Sequence, residues 1–386
     1  IGITFTNKAA EELAARLREV LPELAEEGRE VEVTTYHGFA YGILQEFGAI
    51  IGVERDSEII GPGYVRQLMQ DAIAGGAYSR IDLTAVPQRV DDAVELGSQL
   101  ARNLCAPDAL AGKPADDDVA AARAELAALI TSYEDLKREL GVLDYADLIL
   151  LTHRLVDEHP EVAGRIRARY SVALLDEYQD TDPAQRELLR TVFGDGFPVT
   201  AVGDADQTIY EWRGASTENF ENFPFHFPSA DGSPAAALPL SENRRSKVAI
   251  LDVAHAVRAN MHGSTEFARL RPVAGTPTGD VHGEFFRTAV DEAEYIAEEI
   301  SRLHAEEQVR WRDIAVIFRK NKDMALVRDA LVAQQIPVEV GSLGGLLDLP
   351  DVADLHAWLR TIERPVDSIA LARLLLGPRY RLGLAD

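Results

Sequence analysis

Two adjacent carboxylates follow an apolar run in the middle of the chain. Leu174-Leu175 is followed by Asp176 and Glu177, and then by Tyr178-Gln179-Asp180. An apolar strand that ends in acidic residues delivers them to the crevice where α/β sheets bind ligands. There one carboxylate can hold Mg²⁺, usually through water, and its neighbour can orient or deprotonate an attacking water. The pattern indicates metal–nucleotide chemistry, and a solvated acidic turn after a strand is the plainer alternative.

A second polar segment, residues 202–214, follows another short apolar run. Gln207 comes soon after the predicted strand end, where its amide can sense a phosphate. Tyr210 and Trp212 are followed by Arg213, so two aromatic faces accompany a cation. Stacking a nucleic-acid base on an aromatic ring contributes roughly 1–3 kcal/mol whatever the base. The segment predicts single-strand binding, and two core aromatics with a salt-bridged arginine are the alternative.

Three further segments place polar groups where a helix is predicted to begin. Thr4-Phe5-Thr6-Asn7-Lys8 and Thr35-Tyr36-His37-Gly38-Phe39 each follow a strand pattern, and helix N-termini of this kind accept phosphate oxygens. Asn243-Arg244-Arg245-Ser246 supplies arginines, whose planar fork binds phosphate bidentately. Taken alone, His37 is most simply interpreted as an ordinary hydrogen-bonded histidine. Taken alone, Arg244 and Arg245 can equally be an exposed basic pair at the start of a helix. These segments gain meaning only together.

The sequence lacks one motif that this chemistry requires. No G-x-x-x-x-G-K-[ST] phosphate loop occurs, because Gly112-Lys113 is followed by Pro114. The chain starts at Ile1, already inside an apolar strand-like run. We therefore expect a fragment truncated at both ends, with the phosphate loop upstream of Ile1.

Composition bounds the class of protein. A chain of 386 residues is too long to fold around one ordinary hydrophobic core, and its length fits two or three domains. Hydrophobic residues make up 46% and charged residues 27%, which is typical of a globular protein. No apolar run approaches the ~20 residues needed to cross a bilayer. The single Cys105 excludes an internal disulfide, and no Cys/His cluster has zinc spacing. We expect a soluble, cytoplasmic protein with no membrane partner.

The net charge of −25 means that the molecule as a whole repels phosphate. This charge argues against a non-specific binder of duplex DNA. Any binding of nucleic acid must therefore depend on local residues that outweigh a repulsive background, such as the aromatic rings of residues 202–214.

The order of the predicted elements gives an α/β fold with two parallel-sheet domains. Strand patterns at 1–6 and 31–35 are each followed by a helical pattern. Asn7 is the predicted N-cap of the first helix. In residues 61–140 helical patterns dominate. After the Pro/Gly/Ser-rich stretch Phe223–Pro239, strand patterns alternate with helical ones. The strands predicted there are Gly283–Arg287, Ile314–Phe318 and Pro337–Val340; the helices are Lys247–Asn260, Glu292–Glu306 and Met324–Gln334.

Taken in order, these segments resemble the UvrD/Rep/PcrA-like group of superfamily 1 DNA helicases, and the resemblance spans nearly the whole chain. The stretches similar to its motifs Ia, Ib, II, III and IV are TFTNKAA (4–10), TYHGFA (35–40), LLDEYQD (174–180), VGDADQTIYEWRGA (202–215) and ENRRS (242–246). Weaker similarity lies in LDYADLI (143–149), IAVIFRKN (314–321) and GGLLDLPDVADLHAWLR (344–360).

The resemblance implies two RecA-like motor domains and a cleft that binds ATP and Mg²⁺. It implies a first domain at 1–60 and 142–238 with a helical insertion at 61–141. The second domain is then 239–370, and 371–386 starts an insertion within it. The implied activity is 3′→5′ translocation on single-stranded DNA, with single/double-strand junctions as further partners, in DNA repair or recombination.

The resemblance also implies roles for individual residues. Asp176 would hold Mg²⁺, Glu177 would activate water, and Gln179 would link the Mg²⁺ site to neighbouring motifs. Gln207 would contact the γ-phosphate, and Arg245 would reach it from the second domain. The residues implied to line the single-strand track are Phe5, Thr35, His37, Tyr145, Tyr210, Trp212 and Arg213, continued on the second domain by Arg319 and Asn321.

Departures from the family pattern leave two other hypotheses open. Arg244 stands where the family has an aromatic residue, and motifs V and VI are absent together with the phosphate loop. The chain can instead come from the motor subunit of a helicase–nuclease complex. It can also be a non-catalytic DNA-binding relative, although the intact DEYQD segment argues against that.

Overall fold

The computed structural model describes residues 1–22, 31–81, 86–112, 116–261, 269–340, 350–363, 367–377, 379–380 and 382. The chain divides into two units, Ile1–Gly279 and Asp280–Asp386, and each is treated by itself below. Within the described ranges, no helix combines the length and the apolar character that a membrane span requires.

A four-stranded parallel sheet organises the first unit, with the strand order β2-β1-β5-β6. Ile3 in β1 lies opposite Thr34 in β2 and Leu175 in β5, and Leu175 lies opposite Ala201 in β6. All four strands therefore end at one edge of the sheet, which is the edge where α/β folds bind ligands. The strands of this unit are β1 (Gly2–Thr4), β2 (Val33–Thr35), β3 (Glu58–Ile59), β4 (Val142–Leu143), β5 (Ala173–Leu175), β6 (Val199–Ala201), β7 (Glu242–Asn243) and β8 (Arg271–Pro272).

Helices connect the parallel strands, as crossovers between parallel strands require. The first helix starts one residue from the predicted cap: the hydroxyl of Thr6 accepts from the N–H of Ala9 at 3.1 Å, so Thr6 is the N-cap and Asn7 is already helical. Threonine is a favoured cap because its oxygen satisfies a free N–H of the first turn. The helices of the first unit are α1 (Asn7–Val20), α2 (Tyr36–Phe47), α3 (Pro62–Gly75), α4 (Val86–Arg102), α5 (Asp117–Leu140), α6 (Tyr145–Glu158), α7 (Pro160–Arg167), α8 (Pro183–Phe193), α9 (Thr217–Glu221), α10 (Phe223–His226) and α11 (Val248–Ala259).

The apolar core of the sheet lies against α2, α6 and α8. Ile3 and Leu175 point into it from the two central strands, and both are almost fully buried. Leu44, Leu155 and Leu188 bring one side chain from each of the three helices. Burying a side chain of this size contributes about 1.5–3 kcal/mol, so the core fixes the strand ends on which the polar segments depend.

Helices α3, α4 and α5 form a separate helical layer with its own core. Met69, Val90 and Ile130 meet there, one from each helix. The layer is inserted between β3 and β4, which pair in parallel. These helices occupy the segment that the sequence assigned to an insertion.

The second unit contains α12 (Ala289–Glu307), α13 (Met324–Ala333), α14 (Pro350–Glu363) and α15 (Ser368–Leu376). Its core lies between α12 and α13, and the side chains of Ile314, Val316 and Phe318 pack against it. Ile317, between two of them, is exposed. Of the block 344–360, residues 344–349 lie outside the described residues.

The strands predicted at 283–287, 314–318 and 337–340 are wrong for the described part of the chain, where these segments form no strand. The alternation of side chains at 314–318 is that of a strand, but a strand also needs a hydrogen-bonded neighbour. The described residues of this unit supply none. The α/β class with a parallel sheet is confirmed by the first unit.

Candidate nucleotide and nucleic-acid site

Asp176 follows β5 directly and is fixed by two other elements of the sheet edge. Its backbone N–H donates to the carbonyl oxygen of Ile3 at 2.8 Å. The hydroxyl of Thr4 donates to Asp176 Oδ2 at 3.3 Å, and the hydroxyl of Tyr36 donates to the Asp176 carbonyl oxygen at 3.1 Å. The half-buried Asp176 is therefore held through its backbone by β1 and by the start of α2, and through its carboxylate by Thr4.

Glu177 comes next and is exposed at the same edge. Its φ of 50° lies in the left-handed region, which costs a residue with a Cβ about 1–2 kcal/mol. The turn stops β5 and begins the short 3₁₀ helix Tyr178–Asp180. Backbone strain of this kind is found where the surrounding structure holds a functional side chain in place.

A chain of hydrogen bonds joins the end of β5 to the end of β6. Gln179 Nε2 donates to Glu177 Oε2 at 2.7 Å. Gln179 Oε1 accepts from the N–H of Asp204 at 3.1 Å, and Asp204 Oδ2 accepts from Gln207 Nε2 at 2.8 Å. Gln179 is 1% exposed, and both the nitrogen and the oxygen of its amide bond to the protein in this path. The structure thus brings Glu177, Gln179 and Gln207 together.

Gly203 makes this path possible. A Cβ at residue 203 would lie 2.4 Å from Gln179 Oε1 and 2.8 Å from Cε2 of Phe220. Both separations are shorter than van der Waals contact, so only glycine leaves the Gln179 amide in its place. Neither Gly203 nor Asp204 was predicted to belong to the site, although their position between a strand end and Gln207 marks them.

The oxygen donors at this edge fit Mg²⁺ bound together with a nucleotide. Mg²⁺ keeps several waters and is commonly bound by one or two carboxylates plus phosphates. Asp176 and the Thr4 hydroxyl offer such a partial set of donors. Over the described ranges, no group of three or more His, Cys, Asp or Glu side chains has the arrangement of a metal cage. The role of Asp176 as the Mg²⁺ ligand stays a prediction that these donors fit.

Arg245 is exposed shortly before α11. Its backbone N–H donates to Asn243 Oδ1 at 3.1 Å, and its guanidinium has no hydrogen bond or ion pair to any residue that the structure describes. The neighbouring Arg244 pairs with Glu242 at 3.1 Å. Since no contact joins Arg245 to Asp176, its role toward the γ-phosphate stays a prediction.

An aromatic cluster follows the ends of β1 and β6. The rings of Phe5 and Tyr210 are stacked, with centroids 5.1 Å apart and planes at 16°, and the ring of Trp212 lies 6.3 Å from that of Tyr210. The Arg213 guanidinium lies over the rings of Tyr210 and Trp212, 5.2 Å and 4.6 Å from their centroids. Trp212 is 64% exposed, which rules out the alternative of two core aromatics.

A second aromatic pair lies at the starts of α2 and α6. The rings of His37 and Tyr145 are 5.5 Å apart, and Tyr145 is 62% exposed. Burial, and secondly the positive charge of Arg102, lower the pKa of His37 to about 4, so its ring is neutral at pH 7. Thr35 is the N-cap of α2 and accepts from the N–H of Gly38 at 3.0 Å. The structure brings His37 and Tyr145 together as neighbouring ring faces.

The remaining two candidates, Arg319 and Asn321, belong to the second unit. Both are exposed, and Asn321 begins the 3₁₀ helix Asn321–Asp323. Their place on a single-strand track stays a prediction.

Comparison with known proteins shows which family the chain is similar to. Residues 1–228 match the sequence model of the UvrD/REP helicase N-terminal domain, and residues 238–385 match that of the UvrD-like helicase C-terminal domain. The chain is 34% identical over 397 residues to the ATP-dependent DNA helicase UvrD1 of Mycobacterium tuberculosis, an alignment that covers 99% of the chain and 49% of that relative. It is 31% identical over 388 residues to the ATP-dependent DNA helicase PcrA of Leuconostoc citreum, again over 99% of the chain and 49% of the relative. The chain thus spans about half the length of the curated relatives it matches.

Proposed function

We propose that this chain, which belongs to the UvrD/Rep family of helicases, is the nucleotide- and DNA-binding part of an ATP-driven motor that translocates 3′→5′ on single-stranded DNA and separates duplexes at single/double-strand junctions. One observation carries the proposal. The groups suited to nucleotide chemistry and the rings suited to base stacking follow the same strands, with Thr4 next to Phe5 and Gln207 close to Tyr210.

On the nucleotide side, Glu177 is our candidate general base. One of its oxygens accepts from Gln179 Nε2, which orients the carboxylate and leaves the other oxygen to accept a proton from the attacking water. Asp176 would hold Mg²⁺, which when bound neutralises charge on the phosphates. Arg245, whose guanidinium is exposed, lies within the match to the helicase C-terminal domain and is the proposed partner of the γ-phosphate.

Gln207 is the proposed link between hydrolysis and DNA. Its Nε2 donates to Asp204, so a γ-phosphate that attracts this amide changes a hydrogen-bond path that leads back to Glu177. Tyr210 lies in the turn that follows and stacks on Phe5. A shift of Gln207 on phosphate release would therefore move the aromatic cluster and alter its grip on DNA.

On the DNA side, we infer that stacking supplies most of the binding energy. The net charge of −25 opposes phosphate binding, whereas an aromatic ring contributes roughly 1–3 kcal/mol for each stacked base. Salt weakens phosphate contacts because the release of counterions gains less free energy at high salt, but it affects stacking little. The affinity for single strands should accordingly depend only modestly on salt for a DNA motor.

Unwinding by the full-length protein tests this function. We expect the wild type to unwind a duplex with a 3′ single-stranded tail in an ATP-dependent manner, and Glu177→Gln to bind the tail but lose both unwinding and ATP turnover. Glu161→Gln, an exposed carboxylate on α7, is the matched control and should retain both activities. Equal unwinding by Glu177→Gln and the wild type, or a requirement for a 5′ tail, would contradict the proposal.

Residues 1–386 by themselves should not hydrolyse ATP, because their sequence contains no phosphate loop. Single-strand-stimulated turnover by this segment that Glu177→Gln abolishes would refute that expectation. We also infer a cytoplasmic setting and a role in DNA repair or recombination, which family membership supports.

A further inference from the structure

Lys137, in the last turn of α5, is buried among carboxylates and is 3% exposed. Its Nζ donates to Asp144 Oδ2 at 2.9 Å and to both carboxylate oxygens of Asp147 at 2.8 Å. Glu134 Oε2 lies 3.0 Å from the same nitrogen. An ammonium group has three N–H donors, so these three carboxylates can use all of them.

Two of these carboxylates also form the first turn of α6. Asp144 is its N-cap, and Oδ1 accepts from the N–H groups of Ala146 and Asp147 at 2.9 and 3.0 Å. In return, Asp147 Oδ2 accepts from the N–H of Asp144 at 2.8 Å. Tyr145 and Ala146 lie between the two acids, and Tyr145 is the first residue of the helix. Lys137 thus holds both members of the capping box that encloses Tyr145.

Among the residues that the structure describes, little else fixes the ring of Tyr145. It is 62% exposed, and its ring contact is the tilted one to His37 at 5.5 Å. The backbone of the first helical turn therefore sets where the ring lies. We propose that Lys137 is a positioning residue for single-strand binding: by holding Asp144 and Asp147 it fixes the first turn of α6 and keeps the ring of Tyr145 beside His37. This inference depends on the proposed DNA-binding function.

The charges explain why a lysine is needed at this place. One ammonium faces three carboxylates, so the acids would repel one another without it. Burial, and secondly the charge of Asp144, already raise the pKa of Asp147 to about 7. In a protonated Asp147 one oxygen becomes a donor and a weaker acceptor, which would loosen the capping box. Tyr133 gives further support by donating from its hydroxyl to Asp144 Oδ2 at 2.8 Å.

The same cluster also ties α5 to α6, so a purely structural role has to be separated from positioning. If Lys137 acts through Tyr145, its replacement should weaken DNA binding only while the Tyr145 ring is present. If it merely stabilises the fold, its replacement should weaken binding by the same factor whether or not that ring is present. A double-mutant cycle distinguishes the two cases.

The cycle compares Lys137→Met, Tyr145→Ala and the double variant of the intact protein, using fluorescence anisotropy with a labelled oligothymidylate. We expect Lys137→Met to raise Kd about fivefold or more, which is the low end of what a stacked base contributes. In the Tyr145→Ala background the same change should have no further effect. Arg138→Met is the matched control, because Arg138 is 75% exposed and pairs with the exposed Asp135, so Kd should not change. An equal loss in both backgrounds overturns the proposal.

A second variant keeps the test decisive if Lys137→Met does not fold, which thermal unfolding followed by circular dichroism will show. The variant Lys137→Met/Asp147→Asn removes one positive and one negative charge, and it can replace Lys137→Met in the cycle. We expect it to raise Kd when the Tyr145 ring is present and to have no further effect in the Tyr145→Ala background. Trp212→Ala distinguishes a failure of the positioning role of Lys137 from a failure of the proposed DNA-binding function. If Trp212→Ala weakens binding and Tyr145→Ala does not, the positioning role is wrong and the DNA-binding function stands. If neither weakens binding, both are wrong.

Discussion

Gln179 is buried and Glu177 is exposed, and a hydrogen bond of 2.7 Å from Nε2 to Oε2 joins them across the turn that ends β5. The other end of the same amide accepts from the N–H of Asp204. Gln179 is therefore the residue through which the carboxylate that faces solvent is tied to the neighbouring strand. Breaking this hydrogen-bond path should change both the stability of the protein and its ATPase rate.

Replacing Gln179 with methionine keeps the length of the side chain and removes both hydrogen bonds. The N–H of the half-buried Asp204 then loses its partner, which costs up to about 1–3 kcal/mol of the free energy of unfolding. Glu177 loses its orienting donor, so kcat for ATP in the full-length protein should fall while DNA binding remains. Urea unfolding and steady-state ATPase rates check the two parts. Gln45→Met, on the exposed face of α2, is the control and should change neither.

Gly203→Ala should disturb the same path from the other side. The new Cβ would lie 2.4 Å from Gln179 Oε1, and overpacking of this kind costs typically 1–3 kcal/mol. Gly164→Ala is the matched control because a Cβ there meets nothing within 4 Å inside α7. That control should gain roughly 0.5–1 kcal/mol from the better helix propensity of alanine. Unfolding free energies from denaturant titration compare the two, and equal stabilities would contradict the placement of Gln179.

Trp212→Ala should weaken the binding of single-stranded DNA by ~1–3 kcal/mol, because the ring offers an exposed stacking face. The thermal midpoint should stay close to that of the wild type, since the ring is 64% exposed and leaves no cavity when removed. Fluorescence anisotropy with a labelled single strand measures the affinity. Tyr64→Ala, which removes another partly exposed ring on α3, should bind as tightly as the wild type. An unchanged Kd for Trp212→Ala would contradict the proposal that a DNA base stacks on this ring.

His37 should remain neutral throughout the physiological range, because its pKa lies at about 4. Its ring resonances in an NMR titration should therefore not shift between pH 8 and pH 6, and His37→Gln should not alter the pH dependence of DNA binding there. The unfolded chain binds a proton near pH ~6.5, its ordinary pKa, whereas the folded chain does not. Stability that His37 contributes is thus present above pH ~6.5 and is lost as the pH falls toward 4. A midpoint near 6.5 in the folded protein would contradict this environment.

Local patterns in the sequence were enough to place the functional edge of the sheet. Apolar runs that stop at Asp176 and at Gly203 predicted strand ends, and β5 and β6 end there. The helix predicted at Lys247–Asn260 is also formed, as α11. These predictions succeed because an apolar period and the polar residue that breaks it are both encoded within a few positions.

Features that depend on distant partners were not predictable in this way. Nothing near Lys137 in the sequence shows that its ammonium is buried by Asp147, and nothing near Asp206 shows its ion pair with Arg258. The strand pattern at Ile314–Phe318 was correct in alternation and wrong in assignment, because strand formation depends on a neighbour that the pattern does not contain. A single-residue error at the first helix arose because Thr6 and Asn7 are both good caps.

The pairing of β1 with β5 has a consequence for how the chain reaches its native state. The contact between Thr4 and Asp176 joins residues 172 positions apart, with the whole helical layer of α3 to α5 between them. Loop closure over such a distance is entropically costly, so sheets with distant neighbours assemble slowly. On the ribosome, α3 to α5 can collapse around their own core while β1 still waits for its partner. The apolar edge of β1 is then the surface that a chaperone would have to shield until β5 emerges.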